Sequence, residues 1–130
     1  MKILLIDDDE SLTTVYSAAF NKAGYETEVA STGQDGLSKA KTGKFNLILL
    51  DQVLPDISGN EVLKELKQAD ECKDTPVVIL SNFSQEDLVK EAINSGAADY
   101  VFKYQIELPD VLSKIDGILK SKKAEETKDV

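Results

Sequence analysis

The stretch Ile3-Leu4-Leu5-Ile6-Asp7-Asp8-Asp9 joins four apolar residues directly to three carboxylates. A second run, Leu47-Ile48-Leu49-Leu50, ends on Asp51 in the same way. Short unbroken runs of Ile and Leu suit strands of a parallel sheet that is covered on both faces. The C-terminal ends of such strands share one edge, where ligands bind, so these acids are expected to converge. Crowded carboxylates repel one another unless a cation or a shared proton offsets the charge. The pattern therefore predicts a Mg²⁺ site beside a phosphoryl acceptor.

The rest of the chain fits the same architecture. Strands are expected at Lys2–Ile6, Asn46–Leu50, Pro76–Leu80 and Asp99–Phe102, and the alternating Tyr25–Ala30 reads as an edge strand with one wet face. Between them the apolar spacing becomes helical. Leu12, Val15, Tyr16, Ala19, Phe20 and Ala23 form one stripe stopped by Gly24. Further stripes run through Leu37 and Ala40, through Val62, Leu63 and Leu66, and through Leu88, Val89, Ala92 and Ile93, the last closed by Gly96 and opened by a Ser84/Asp87 cap. Val111, Leu112, Ile115, Ile118 and Leu119 make the final stripe, with Pro109 in its first turn. Strand and helix alternating in this way specify an α/β fold with a parallel sheet. We expect a flavodoxin-like (βα)5 three-layer sandwich with strand order 2-1-3-4-5, which sets the ends of the first and third strands side by side. The folded unit is expected to span residues 1–120, with 121–130 a disordered polar tail.

Composition removes many functions. The net charge of −9 over 130 residues argues against nucleic acid or an anionic membrane surface as a direct partner. Only four apolar residues follow Lys2 before the acids begin, too few for a signal-peptide core, so a cytoplasmic location is expected. The chain has no histidine, which excludes Ser-His-Asp and Cys-His catalysis, a histidine zinc site and a phosphohistidine on this chain. Covalent phosphoryl chemistry then falls to a carboxylate. Cys72, the single cysteine, is expected to be chemically idle.

Five polar residues stand at strand ends: Asp7, Asp8, Asp51, Ser81 and Lys103. Any one of the acids alone reads equally well as a helix cap. Together they suit one reaction. A hard divalent cation takes oxygen ligands in near-octahedral geometry, with Asp8 and Asp51 bound directly and Asp7 through water. Lys103 shares in neutralising charge, Asp51 attacks an incoming phosphoryl group, and Ser81 bonds a phosphate oxygen.

These residues resemble the receiver domain of two-component response regulators, over about Lys2 to Leu119. The resemblance is carried by Ile3–Asp8, Asn46–Asp51, the loop Leu54-Pro55-Asp56-Ile57-Ser58-Gly59, Pro76–Ser81 and Gly96-Ala97-Ala98-Asp99-Tyr100-Val101-Phe102-Lys103. It implies that Asp51 is the phosphoacceptor, that Asp7, Asp8 and the main-chain carbonyl of Val53 complete the Mg²⁺ site, and that Ser81, Tyr100 and Lys103 are the hydroxyl switch, the aromatic switch and the phosphate-binding lysine. It further implies a sensor histidine kinase or histidine phosphotransfer protein as donor, an unknown protein target, and a partner face that includes Lys90, Glu91, Asn94, Lys114 and Lys120. Val53 and Phe83 stand where the family tunes hydrolysis, and both are apolar, so slow self-dephosphorylation is expected. Tyr104 replaces the family's proline after the lysine, which predicts a trans peptide and a reshaped loop.

The expected role is that of a stand-alone, chemotaxis-receiver-like phosphoacceptor with no DNA-binding output, not an enzyme but a signalling protein that catalyses only its own phosphorylation and slow dephosphorylation. Two alternatives remain open on sequence: a phosphorylation-independent pseudo-receiver that binds a partner, and a haloacid-dehalogenase-type phosphohydrolase, whose Asp-x-Asp opening Asp7–Asp9 also contains.

Overall fold

The structure is a computed structural model and describes residues 1–82, 86–103 and 106–128, with side chains through Lys122. The elements run β1 (Lys2–Ile6), α1 (Glu10–Lys22), β2 (Glu26–Ala30), α2 (Gly33–Thr42), β3 (Leu47–Asp51), α3 (Gly59–Gln68), β4 (Val77–Ser81), α4 (Glu86–Asn94), β5 (Asp99–Phe102) and α5 (Leu108–Lys128). The strands are parallel, in the order β2-β1-β3-β4-β5. This is the flavodoxin-like α/β fold that the apolar runs predict.

Strand alternation assigns the two faces of the sheet. Ile3, Leu5, Leu47, Leu49, Val78, Leu80 and Val101 point to one side and pack on Phe20 of α1 and on Val111, Ile115 and Leu119 of α5. Leu4, Ile6, Ile48, Leu50, Val77, Ile79 and Tyr100 point to the other, against Leu37 and Ala40 of α2, Val62, Leu63 and Leu66 of α3 and Ala92 of α4. A buried aliphatic side chain contributes about 1.5–3 kcal/mol, so the central strands β1 and β3, apolar on both faces, anchor the site that follows them. Cys72 lies in the second of these layers, buried with its thiol donating to the Leu66 carbonyl at 3.5 Å. Burial pushes that thiol above its ordinary pKa, which leaves it a packing group.

Several expectations change in detail. β3 and β4 each lie one residue later than expected, so Asp51 and Ser81 are the last residues of their strands rather than the first residues beyond them. Val15 and Ile93, counted in the apolar stripes, are exposed; Thr13 is buried on α1 although outside its stripe, while Ala92 of the α4 stripe is buried as expected. Thr13 satisfies its hydroxyl on the Glu10 carbonyl at 3.1 Å. The stripe on each helix is wider than the sheet face it meets, so its outer margin stays in solvent. Helix α5 continues to Lys128, beyond the expected limit at residue 120, because the Lys-, Ala- and Glu-rich segment consists of good helix formers. The Ser84 cap, Phe83 and Tyr104 lie outside the described residues. Among the described residues no helix is long and apolar enough to cross a membrane.

Candidate functional site at the C-terminal edge

Parallel pairing places Ile6 beside Leu50 and Asp51 beside Leu80. Asp7 and Asp8 therefore leave β1 alongside the end of β3. One carboxylate oxygen from each of Asp7, Asp8 and Asp51 lies within 4.8 Å of the others. Asp7 and Asp51 are buried, while Asp8 faces solvent. The third acid of the run turns away. Asp9 caps α1, accepting from the Leu12 N–H at 3.1 Å, and its own N–H donates to Asp7 Oδ1 at 2.9 Å.

Lys103 reaches the group from the end of β5. Its backbone N–H donates to the Ser81 carbonyl at 2.8 Å, extending the β4–β5 pairing. Its Nζ lies 2.9 Å from Asp7 Oδ2 and 3.4 Å from Asp51 Oδ1. Burial pulls the ammonium down, but the hydrogen bond to Asp7 and the charge of Asp51 outweigh it and hold Lys103 above its ordinary pKa. Asp51 is pushed up to about 6, first by burial and then by the Asp7 charge, against the opposing pull of Lys103 and of the Val53 N–H.

Ser81 is fully buried and stands one position beyond Leu80, the register partner of Asp51. Tyr100 pairs with Ile79 and is buried on the α4 side of the sheet, its ring 5.5 Å from that of Phe102. The fold thus gathers Asp7, Asp8, Asp51 and Lys103 in direct contact range and sets Ser81 and Tyr100 on the two strands beside them. Val53 opens the loop after β3. Its side chain is exposed, its N–H helps to hold the Asp51 carboxyl down against burial, and it bridges to Ser58. Asp56 pins the far side of this loop by accepting from Gly33 N–H at 2.8 Å and Gln34 N–H at 2.9 Å at the start of α2. Those two bonds hold its carboxyl below the usual range. Of the expected partner-face residues, Glu91 pairs with Lys64 at 2.8 Å and Lys114 with Asp99 at 3.0 Å.

Three carboxylates with one lysine leave an excess of negative charge, and the donor set is all oxygen. Both features fit a hard divalent ion such as Mg²⁺. The raised pKa of Asp51 gives a test in magnesium-free buffer. Between about pH 4 and 6 the folded state keeps a proton that the unfolded chain has lost, so stability falls as pH rises through that window. Asp51→Asn is expected to stabilise the fold by about 1–3 kcal/mol at pH 8, with the gain vanishing near pH 4. Denaturant titrations at the two pH values check this; an equal effect at both contradicts it.

Sequence reasoning missed two residues here. Gln52 and Asn60 are buried polar groups behind the site. The available signal was an amide set between Asp51 and Leu54, and another just ahead of Val62 and Leu63.

Comparison with known proteins agrees with this fold. The model of the response regulator receiver domain matches residues 3–116. The chain is 33% identical over 118 residues to the uncharacterized transcriptional regulatory protein YkoG of Bacillus subtilis, covering 91% of this chain and 50% of that protein. It is 37% identical over 102 residues to the alkaline phosphatase synthesis transcriptional regulatory protein PhoP of the same species, covering 78% and 42%. It thus spans about half the length of the curated relatives it matches. A CheY-like receiver domain protein from Methanospirillum hungatei superposes with a TM-score of 0.90 at 29% identity, covering 95% of this chain and 97% of that one. The signal receiver domain of a Luxo repressor protein from Vibrio parahaemolyticus gives 0.88 at 31%, covering 97% and 95%. The chain belongs to the response regulator receiver domain family.

Proposed function

We propose that this receiver is a Mg²⁺-dependent phosphoacceptor in a histidine-to-aspartate phosphorelay, with Asp51 taking the phosphoryl group. The observation that carries the reading is the Lys103 ammonium shared between Asp7 and Asp51, with Asp8 completing a set of three carboxylates. Asp7, Asp8 and Asp51, with the Val53 carbonyl, hold the cation, which supplies Lewis-acid neutralisation of charge on the transferring group. An Asp51 oxygen attacks phosphorus, the bond from phosphorus to the donor nitrogen breaks, and the released imidazole takes up a proton. Lys103 accompanies the charge onto the new aspartyl phosphate, and the Ser81 hydroxyl donates to one of its oxygens.

The added charge biases an equilibrium already present in the protein, with Ser81 drawn toward the phosphate and Tyr100 reorienting beside it. The output is a changed protein-binding surface around α4 and β5. The donor is a sensor histidine kinase or a histidine phosphotransfer protein, which sets the reaction in the cytoplasm. The protein catalyses only its own phosphorylation and a slow dephosphorylation. Exposed, apolar Val53 offers no group to orient an attacking water.

The test is transfer of labelled phosphate from a phosphorylated histidine kinase domain in Mg²⁺, followed by the decay of the label. Stable label on the wild type and faster loss in Val53→Asn are expected. Steady release of phosphate without accumulated label contradicts the acceptor role and favours a phosphohydrolase. No label on a folded protein favours a pseudo-receiver.

A further inference from the structure

Directly after Asp51 and at the start of α3 stand two buried amides. Gln52 and Asn60 are each 3% exposed, and their chain neighbours Leu50, Leu54, Val62 and Leu63 belong to the buried layer under α2, α3 and α4. Gln52 Nε2 donates to Asn60 Oδ1 at 3.0 Å, and the Asn60 backbone N–H donates to Gln52 Oε1 at 2.8 Å. The Gln52 carbonyl also accepts from the Gly59 N–H at 2.7 Å. The Asn60 amide nitrogen then leaves the pair and reaches the Leu88 carbonyl in α4 at 3.4 Å. Glu91, one turn further along α4, has its carboxyl held below the usual range first by Lys64 and then by the Asn60 amide.

Burying an amide carries a desolvation cost that its hydrogen bonds only offset, whereas apolar residues of similar size carry none. What the amides add is direction. They close the two ends of the 52–60 loop on each other, and the Val53 peptide follows directly, its Gln52 carbonyl held by the Gly59 N–H and Val53 bridged to Ser58. They also tie the same loop to α4.

We propose that Gln52 and Asn60 are positioning residues of the phosphorylation site, fixing the Val53 peptide beside Asp51 and linking that peptide to helix α4. This rests on the receiver function proposed above. The link runs through β3, the loop and α3, and is separate from the route through Ser81 and Tyr100. Groups that orient a metal ligand from behind tune its affinity, and for ligating side chains their loss typically weakens binding about 10–100-fold.

The experiment compares wild type, Gln52→Leu, Asn60→Leu and the double variant. Readouts are Mg²⁺ affinity by calorimetry, backbone hydrogen exchange in residues 86–94, and phosphoryl uptake from acetyl phosphate. Asn60→Leu leaves the Gln52 amide unpaired, and Gln52→Leu leaves both the Asn60 amide and the residue-60 backbone N–H unpaired. The double removes both side-chain amides but still leaves that N–H unpaired, so it should recover only relative to Gln52→Leu. The double is nonetheless expected to bind Mg²⁺ about tenfold more weakly and to exchange its α4 amides faster. Wild-type Mg²⁺ affinity and wild-type α4 exchange in the double variant overturn the proposal. If the double variant does not fold, Asn60→Ala decides the link to α4. It keeps the backbone bond to Gln52 but removes the reach to Leu88, so unchanged α4 exchange in it overturns that link. A wild type that binds neither Mg²⁺ nor phosphoryl groups overturns the receiver function itself, an outcome distinct from the failure of the amide link.

Discussion

Gly59→Ala is expected to lower the unfolding free energy by about 3 kcal/mol or more, at the upper end of what overpacking does. A Cβ at this position would stand 2.5 Å from the Asp51 carbonyl oxygen, 2.7 Å from Gln52 Cα and 3.1 Å from the Asp51 carbonyl carbon. All three are backbone atoms of the phosphoacceptor strand and the residue after it, so no rotamer change relieves the contact. Gly33 and Gly36 show similarly short distances, but to side-chain atoms of Ile57, Val62 and Ile6, which can turn aside. Gly117, exposed in α5 with nothing within 4 Å, is the control: Gly117→Ala should gain about 0.5–1 kcal/mol. Denaturant unfolding of the two variants checks the contrast. If Gly59→Ala is as mild as Gly33→Ala, the close approach of α3 to Asp51 is wrong.

Lys103→Met is expected to destabilise the magnesium-free protein by about 3–5 kcal/mol at pH 8, the range for removing one partner of a buried ion pair. Lys103, Asp7 and Asp51 have side chains 11%, 1% and 9% exposed, so water screens the orphaned carboxylates poorly. The sign of the pH dependence follows from Asp51. Its pKa already stands at about 6 with the lysine present and rises further without it. The variant therefore regains stability as the pH falls from 8, Asp51 taking up its proton already above pH 6, and the repulsion from Asp7 then ends. Added Mg²⁺ should restore part of the loss at pH 8, by about 2.7 kcal/mol at a hundred times its dissociation constant. A small deficit, unchanged by pH and by Mg²⁺, contradicts the electrostatic account of the site.

The strands, their order and the acidic edge were legible because buried parallel strands leave short aliphatic runs, and because the residue ending each run must lie at the ligand-binding edge. Topology then joined Asp7, Asp8 and Asp51 across more than forty residues of chain. Finer allocation was not legible. Asp9 is chemically the same as its two neighbours, and only the entry angle of α1 makes it the cap. Val15 and Ile93 carry the right residue type at the right spacing, yet fall on the margin of a helix face wider than the surface it covers. Gln52 and Asn60 drew no reading at all, because nothing in local sequence reveals that two amides eight residues apart complete each other. Gly59 read as part of a turn, and its need for a bare Cα comes from the backbone of another element.

The central claim is that Asp51 accepts a phosphoryl group with the aid of a divalent cation, and intact mass tests it most directly. The wild type and Asp51→Asn are incubated with acetyl phosphate, each with Mg²⁺ and with a chelator. The account predicts the gain of one phosphoryl group in the wild type with Mg²⁺ and none in the other three samples. A folded wild type that gains nothing in Mg²⁺, or an Asp51→Asn variant that gains as much, contradicts it.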